Sequence, residues 1–194
     1  KTGLICDEDQ MKSIIPYLAN RTIVCDPILK STSGLDFLNS DSYDYFMTIF
    51  LQKISLITPN LPELQWLLKT KSNDLEVLIP ESVNFSKTHN VSFFLKGGHS
   101  KNKSLDYLIT PDKSYSYIGP EVEFHTSHGT GCRISSGICA GLSLGHNLVT
   151  ACQLAKNYVL HTLMDNKLAD KSWVMSSPGK ITNLKNLVNF KEIT

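Results

Sequence analysis

The sequence lacks any apolar run near the roughly eighteen residues that a membrane-spanning helix needs, which excludes an obvious transmembrane anchor. It also lacks a surplus of either charge: 19 Lys plus Arg stand against 18 Asp plus Glu, a formal net charge of +1. That balance gives no basis for attraction to nucleic acid or to a membrane surface, whose footprint is a basic excess on one face. A small anionic ligand in a locally basic pocket stays open. Cysteines are few, at positions 6, 25, 132, 139 and 152, an odd number without framework spacing. Cys139 and Cys152 fall within apolar helical patterns, where buried thiols are common. The opening residues 1–7 carry no apolar h-region or cleavage signature, and the expected setting is reducing and cytoplasmic. Repeats, low-complexity tracts and interdomain linkers are absent as well. What is present, 194 residues of which 41% are hydrophobic and 19% charged, suits one globular domain over residues 1–194 with a substantial core.

Strand-like runs alternate with helix-like ones, the pattern of an α/β fold with a mostly parallel sheet. Residues 22–26, 54–58 and 91–95 read as short buried strands, and 105–109 and 114–118 as a hairpin around Thr110-Pro111-Asp112-Lys113. Residues 11–18 read as the end of a helix interrupted at Pro16, 43–51 as helical, and 62–69 as a helix with Pro62 suited to its first turn. Two helical patterns, 132–144 and 148–163, are joined by Gly145-His146-Asn147, and the first is rich enough in small residues to pack close to a sheet. After residue 165 the signal weakens, with a loop at 176–179 and a short apolar tail.

Parallel sheets place ligands beyond the carboxyl ends of their strands. Those ends here carry Asp26-Pro27, Thr58-Pro59-Asn60-Leu61-Pro62-Glu63 and Lys96-Gly97-Gly98, with His128-Gly129-Thr130-Gly131-Cys132-Arg133 opening a helix near them. Gly129 and Gly131 let backbone approach an anion, and the helix that follows directs N–H groups and a positive dipole end at it. The same field is expected to lower the pKa of Cys132. The alternative is a tight turn into a closely packed helix. His128 and Cys132, four apart, leave a Cys–His hydrolase open, whereas His125, His128 and Cys132 match no standard zinc pairing. Asn60 and Glu63 form an N-x-x-E unit able to share one Mg²⁺–water cluster, or Glu63 simply complements the helix dipole. Asp26 reads as an acid of a Mg²⁺ or phosphate site, or as a turn former before proline. Lys96 suits a nucleotide phosphate.

Taken in order, Asp26-Pro27-Ile28-Leu29, Ser33-Gly34, ITPNLPE at 57–63, KGGH at 96–99 and SHGTGC at 127–132 resemble hydroxymethylpyrimidine/phosphomethylpyrimidine kinases, ribokinase-like enzymes of thiamine biosynthesis. ITPNLPE and SHGTGC are the specific motifs, and KGGH tilts the likeness away from pyridoxal kinases. The resemblance runs from residue 1 to about 165. It implies a three-layer α/β/α fold and an ATP- and Mg²⁺-dependent kinase acting on a pyrimidine hydroxymethyl group and then on its phosphate. It further implies an anion hole at Gly129, Thr130 and Gly131, with Cys132 as base. Asn60 and Glu63 become the Mg²⁺–phosphate element, Asp26 a metal-site acid, Lys96 with Gly97 and Gly98 the nucleotide-phosphate segment, and Leu4 and Ile28 lining of the pyrimidine pocket. The implied partners are small molecules, with a homodimer as the assembly such kinases often adopt.

Three departures from the family pattern stand out. Lys1-Thr2-Gly3-Leu4 resembles an internal strand, so the family's first strand, glycine-rich substrate loop and following helix and strand are expected to be missing from these 194 residues. Arg133 occupies a position where the family usually has a small residue, and the tail after Asp165 matches poorly. Two rivals follow: a pyridoxal or pyridoxine kinase, and a non-catalytic relative that binds a pyrimidine or nucleotide.

Overall fold

The computed structural model describes residues 1–28, 41–97, 105–122, 129–166 and 185–193. Helix α1 (Glu8–Ile14) begins at Asp7, whose carboxylate accepts the Gln10 N–H at 2.8 Å. Pro16 has no N–H to continue it, and the chain tightens into a 3₁₀ turn over Ile15–Tyr17. Strand β1 (Val24–Cys25) follows. The single helix expected over 43–51 is split into helix α2 (Asp41–Tyr45), a π-helical segment Phe46–Phe50 and a 3₁₀ turn Leu51–Lys53. Strand β2 (Leu56–Ile57) leads into helix α3 (Leu61–Leu68), which ends at Lys69 in the left-handed region, φ 51°. Helix α4 (Leu75–His89) precedes strand β3 (Ser92–Leu95). The expected hairpin is strands β4 (Leu105–Ile109) and β5 (Ser114–Ile118). Helices α5 (Thr130–Ser143) and α6 (Leu148–Asn166) come next, then strand β6 (Asn189–Glu192). The expected loop at 176–179 lies outside the described residues.

The strands form one sheet in the order β1-β2-β3-β4-β5-β6. β1, β2 and β3 pair in parallel, and the remaining neighbours pair antiparallel. Four strands, β1, β2, β3 and β5, therefore run one way, and β4 and β6 run against them. Thr2 extends the parallel side by a bridge to Cys25, its N–H on the Val24 carbonyl at 2.9 Å.

Side-chain alternation sorts the core into two layers, the period of 2 that a sheet covered on both faces requires. Cys25, Ile57, Phe93, Leu95 and Ile109 point into a cluster with Met11, Phe50, Leu64 and Leu78 of the helices α1 to α4 region. Val24, Leu56, Phe94, Leu108 and Tyr117 point the other way, against Ile134 and Ile138 of α5 and Ala155 and Val159 of α6. The result is a three-layer α/β/α sandwich. The small residues of α5 serve a different contact from the one the sequence suggests. A Cβ on Gly137 or Gly141 would stand 3.0 Å from the Cβ of Ala155 or Ala151, so the glycines bring α5 against α6 while Ile134 and Ile138 meet the sheet. Among the described residues no helix is long and apolar enough to cross a membrane.

Candidate active site

The parallel strands deliver three polar groups to one edge. Asp26 follows β1, Thr58 follows β2, and Lys96 follows β3, its N–H held on the Pro59 carbonyl at 2.8 Å. The Lys96 ammonium lies 2.8 Å from Asp26 Oδ1 and 3.6 Å from Glu63 Oε2. Asp26 and Glu63 side chains are only 2% and 8% exposed, so the ammonium is their principal source of compensation. Thr58 Oγ1 donates to Asp26 Oδ1 at 3.3 Å, and Ser135 Oγ approaches Oδ2 at 3.4 Å. Lys1 Nζ stands 3.9 Å from Oδ2. Sequence reasoning missed Thr58 and Ser135; the signal for Ser135 is its place one helical turn beyond Gly131, on the same face.

Asn60 and Glu63 form a reciprocal capping box at the start of α3. Asn60 Oδ1 accepts the Glu63 N–H at 2.9 Å and Glu63 Oε2 accepts the Asn60 N–H at 2.7 Å. The local role of this pair is thus the helix start, while the Glu63 carboxylate also reaches Lys96. Burial raises Glu63 above its ordinary value of 4.5, against the pull of Lys96. Burial alone would lower Lys96, but the Glu63 and Asp26 carboxylates outweigh it and hold the ammonium above its ordinary 10.5.

The two glycines of the turn have separate reasons. Gly129 caps α5 at φ 83°, a left-handed conformation that side chains resist, with open space around it. Gly131 has no such φ; a Cβ there would sit 3.1 Å from Lys96 Nζ. The first helical hydrogen bond is Arg133 N–H to the Gly129 carbonyl at 3.0 Å, so the N–H groups of Gly131 and Cys132 precede the ladder and belong to the helix's anion-attracting end. Cys132 is exposed at this end. Its thiol does not follow the expected direction: desolvation first, and the Asp26 carboxylate second, raise it above 9.0, with Lys1 and Lys96 opposing. Lost solvation of the thiolate leads this shift, and the carboxylate beside the sulfur adds to it.

Two cavities flank the cluster. One, of about 580 Å³, is lined by Lys1, Gly3, Leu4, Ile5, Gln10 and Ile14. Leu4 is 46% exposed there. Ile28, expected beside it, does not line that cavity; its N–H turns back onto the Asp26 carbonyl at 2.9 Å. The other, of about 670 Å³, runs between α5 and α6 from Gly129 and Cys132, past Arg133, to Leu144, Leu154 and Tyr158. Gly98, His125 and His128 lie outside the described residues. Among those described, no three His, Cys, Asp or Glu side chains converge as a metal cage. Two buried carboxylates around one cationic position do fit a Mg²⁺ ion, which takes one or two protein carboxylates and completes its shell with water and phosphate oxygens.

Fold and cluster together define an α/β/α protein in which a glycine-opened helix start lies beside a lysine–carboxylate cluster at the carboxyl edge of its parallel strands. A family model described as phosphomethylpyrimidine kinase matches residues 1–175, and the chain belongs to that family. It is 27% identical over 177 residues to the hydroxymethylpyrimidine/phosphomethylpyrimidine kinase of Aquifex aeolicus, covering 89% of this chain and 69% of that protein. The enzyme of the same name from Staphylococcus aureus (strain MSSA476) is 28% identical over 165 residues, with 82% of this chain and 60% of that protein covered. The chain thus spans 60–69% of the length of these relatives. Among solved structures, Staphylococcus aureus pyridoxal kinase in complex with ADP aligns with a TM-score of 0.79 at 20% identity, covering 95% of this chain and 69% of that one. Phosphomethylpyrimidine kinase from Clostridium difficile 630 aligns at 0.67 and 22%, covering 82% and 66%. At such identities the structures speak for the fold alone.

Proposed function

We propose that the chain transfers the γ-phosphoryl group of ATP to the hydroxymethyl oxygen of 4-amino-5-hydroxymethyl-2-methylpyrimidine, to the phosphate of that product, or to both. The observation that carries this reading is the convergence of Asp26, Glu63 and Lys96 beneath the N-terminus of α5, where a Cβ added to Gly131 would stand only 3.1 Å from Lys96 Nζ. Phosphoryl transfer asks for positioning and charge stabilisation more than covalent chemistry, and this inventory supplies both.

The nucleotide lies with its base in the α5–α6 groove, whose walls include Ala140, Leu144, Leu154 and Tyr158, and its phosphates toward Gly129. The α5 N–H groups receive γ-phosphate oxygens, and Lys96 balances the charge that develops on them. Asp26 and Glu63 are the residues that would hold Mg²⁺; when bound, the ion supplies neutralisation of the phosphate oxygens. Cys132 accepts the hydroxymethyl proton as that oxygen bonds to the γ-phosphorus. The bond from that phosphorus to the bridging oxygen breaks, and ADP departs.

The test is ADP formation by the purified protein with ATP and Mg²⁺ against three acceptors: the hydroxymethylpyrimidine, its phosphate, and pyridoxal. Pyrimidine-dependent ADP release that stops on chelation is expected. Turnover of pyridoxal alone would move the protein to the vitamin B6 kinases, and nucleotide binding without turnover of any acceptor would make it a binding relative.

A further inference from the structure

A second buried ion pair lies behind the cluster. Lys156, on α6, places its ammonium 2.7 Å from Asp106 Oδ2 on β4, and the two side chains are 5% and 10% exposed. The other oxygen, Asp106 Oδ1, accepts the N–H of Gly97 at 2.6 Å. Gly97 is the residue after Lys96, and it is pressed so closely onto the start of β4 that a Cβ would lie 1.7 Å from the Leu105 carbonyl oxygen. The backbone on either side of Lys96 is therefore fixed twice. Its own N–H is held by the Pro59 carbonyl at 2.8 Å, and the following N–H by Asp106.

We propose that Asp106 is a positioning residue for Lys96 through the hydrogen bond it accepts from Gly97, with Lys156 compensating the charge of the buried carboxylate. Buried ion pairs add little net stability over apolar replacements of similar size, so stability alone gives this one a weak reason to exist. A carboxylate has an acceptor to spare for a backbone N–H in a way that an apolar side chain does not. Asp106 touches neither substrate nor reacting atoms; it acts by fixing where β3 ends. Lys96 leaves that point with its ammonium aimed at Asp26. Lys156 sits on α6 between Ala155 and Tyr158, both of which line the α5–α6 groove, and it points to the opposite, buried side. One helix thus shapes the groove with one face and braces the lysine loop with the other. The catalytic consequence rests on the kinase reading; the placement of Lys96 does not.

Three variants separate an acceptor from a charge. D106N/K156M removes both charges and keeps an amide oxygen for Gly97. D106L/K156M removes both charges and the acceptor. D106E keeps the ion pair and displaces the acceptor by about one C–C bond. The first readout is acetylation of Lys96 by acetic anhydride, followed by peptide mass spectrometry on protein confirmed folded by circular dichroism. The second is the split between kcat and KM. D106N/K156M is expected to match the parent within about threefold in both. D106L/K156M and D106E are expected to raise Lys96 labelling at least about fivefold. They should lower kcat about 10- to 100-fold, the scale of a 1 Å misplacement, with KM for the pyrimidine within about threefold. Parent-like labelling and kcat in D106E overturn the proposal even where D106L/K156M does not fold. So does an equal loss in D106N/K156M, which would assign the effect to charge rather than to the Gly97 hydrogen bond. If the parent transfers phosphate to none of the acceptors, the kinase reading fails, and the labelling still decides whether Asp106 places Lys96.

Discussion

Replacing Lys96 by methionine removes an ammonium from between two buried carboxylates while keeping most of the side-chain volume. At an effective dielectric of about 20, unit charges at the observed 2.8 Å and 3.6 Å attract by about 6 and about 5 kcal/mol before desolvation is subtracted. Desolvation removes much of this, and breaking a buried pair from one side costs about 3–5 kcal/mol net. The loss should depend on pH, with a definite sign. Glu63 already lies above 4.5 through burial, with Lys96 first and the Asn60 N–H second pulling it down; without the lysine it rises further. A carboxyl whose folded pKa exceeds its unfolded value weakens the fold as pH climbs through the interval between them, and costs nothing below it. K96M should therefore lose about 3–5 kcal/mol at pH 8 and markedly less at pH 5. Urea denaturation of parent and variant at both pH values, in metal-free buffer, measures this. An equal loss at pH 5 and pH 8, or less than about 1 kcal/mol at pH 8, would refute the view that Lys96 compensates buried charge.

Cys132→Ala should lower phosphorylation of the hydroxymethyl group by at least about 100-fold while nucleotide binding persists. The same variant should spare phosphorylation of the monophosphate by comparison, because a phosphate monoester has already lost its proton at neutral pH; equal damage to both steps would contradict the base assignment. Gly137→Ala should destabilise the protein by about 1–3 kcal/mol, since the new methyl meets Ala155 at 3.0 Å with backbone behind it. A thermal melt indistinguishable from the parent would show that α5 and α6 are not held at that distance.

Elements with a strong local signature were legible in the sequence. β4 and β5 have the expected bounds, because alternation and the Thr110-Pro111-Asp112-Lys113 turn act over neighbouring residues. α3 announced itself through Asn60, Pro62 and Glu63. α4 was missed because its buried face carries Ser82 and Ser86 in place of apolar residues and Pro80 sits inside it, although Asp74 caps its start and Lys87 and His89 close its end. β6 was missed because an exposed edge strand lacks a buried face to imprint alternation. The gathering of Asp26, Glu63, Lys96 and the Gly129–Cys132 turn at one edge was legible, since strand ends converge by topology. Their wiring was not. The Asp26–Lys96 contact joins residues 70 positions apart, and nothing local in Asp26-Pro27 indicates that its partner is a lysine. The direction of the Cys132 shift was not legible for the same reason: the helix end is local, whereas the desolvation that leads the shift and the Asp26 carboxylate that adds to it come from tertiary packing.

The wiring has an electrostatic consequence for ligand order. Within the cluster, Asp26 and Glu63 stand against Lys96 and against Lys1, 3.9 Å from Asp26, so these two carboxylates and two ammoniums leave no net charge among them. The positive end of α5 contributes only about half an elementary charge. A polyanionic nucleotide arriving without a cation therefore meets little attraction from this cluster and brings its own charge close to two buried carboxylates. With a divalent cation bound, those carboxylates would serve as its ligands rather than as an obstacle. Nucleotide affinity should accordingly depend on the cation even in the absence of an acceptor. In calorimetric titrations ATP should bind at least about tenfold more weakly in EDTA than in excess Mg²⁺. In Glu63→Gln, which removes one of the two opposing charges, the affinity in EDTA should rise while the gain from Mg²⁺ shrinks. Equal ATP affinity with and without Mg²⁺ in the parent would mean that Lys96 and the α5 terminus suffice for the phosphates, and that Asp26 and Glu63 serve only to hold the lysine.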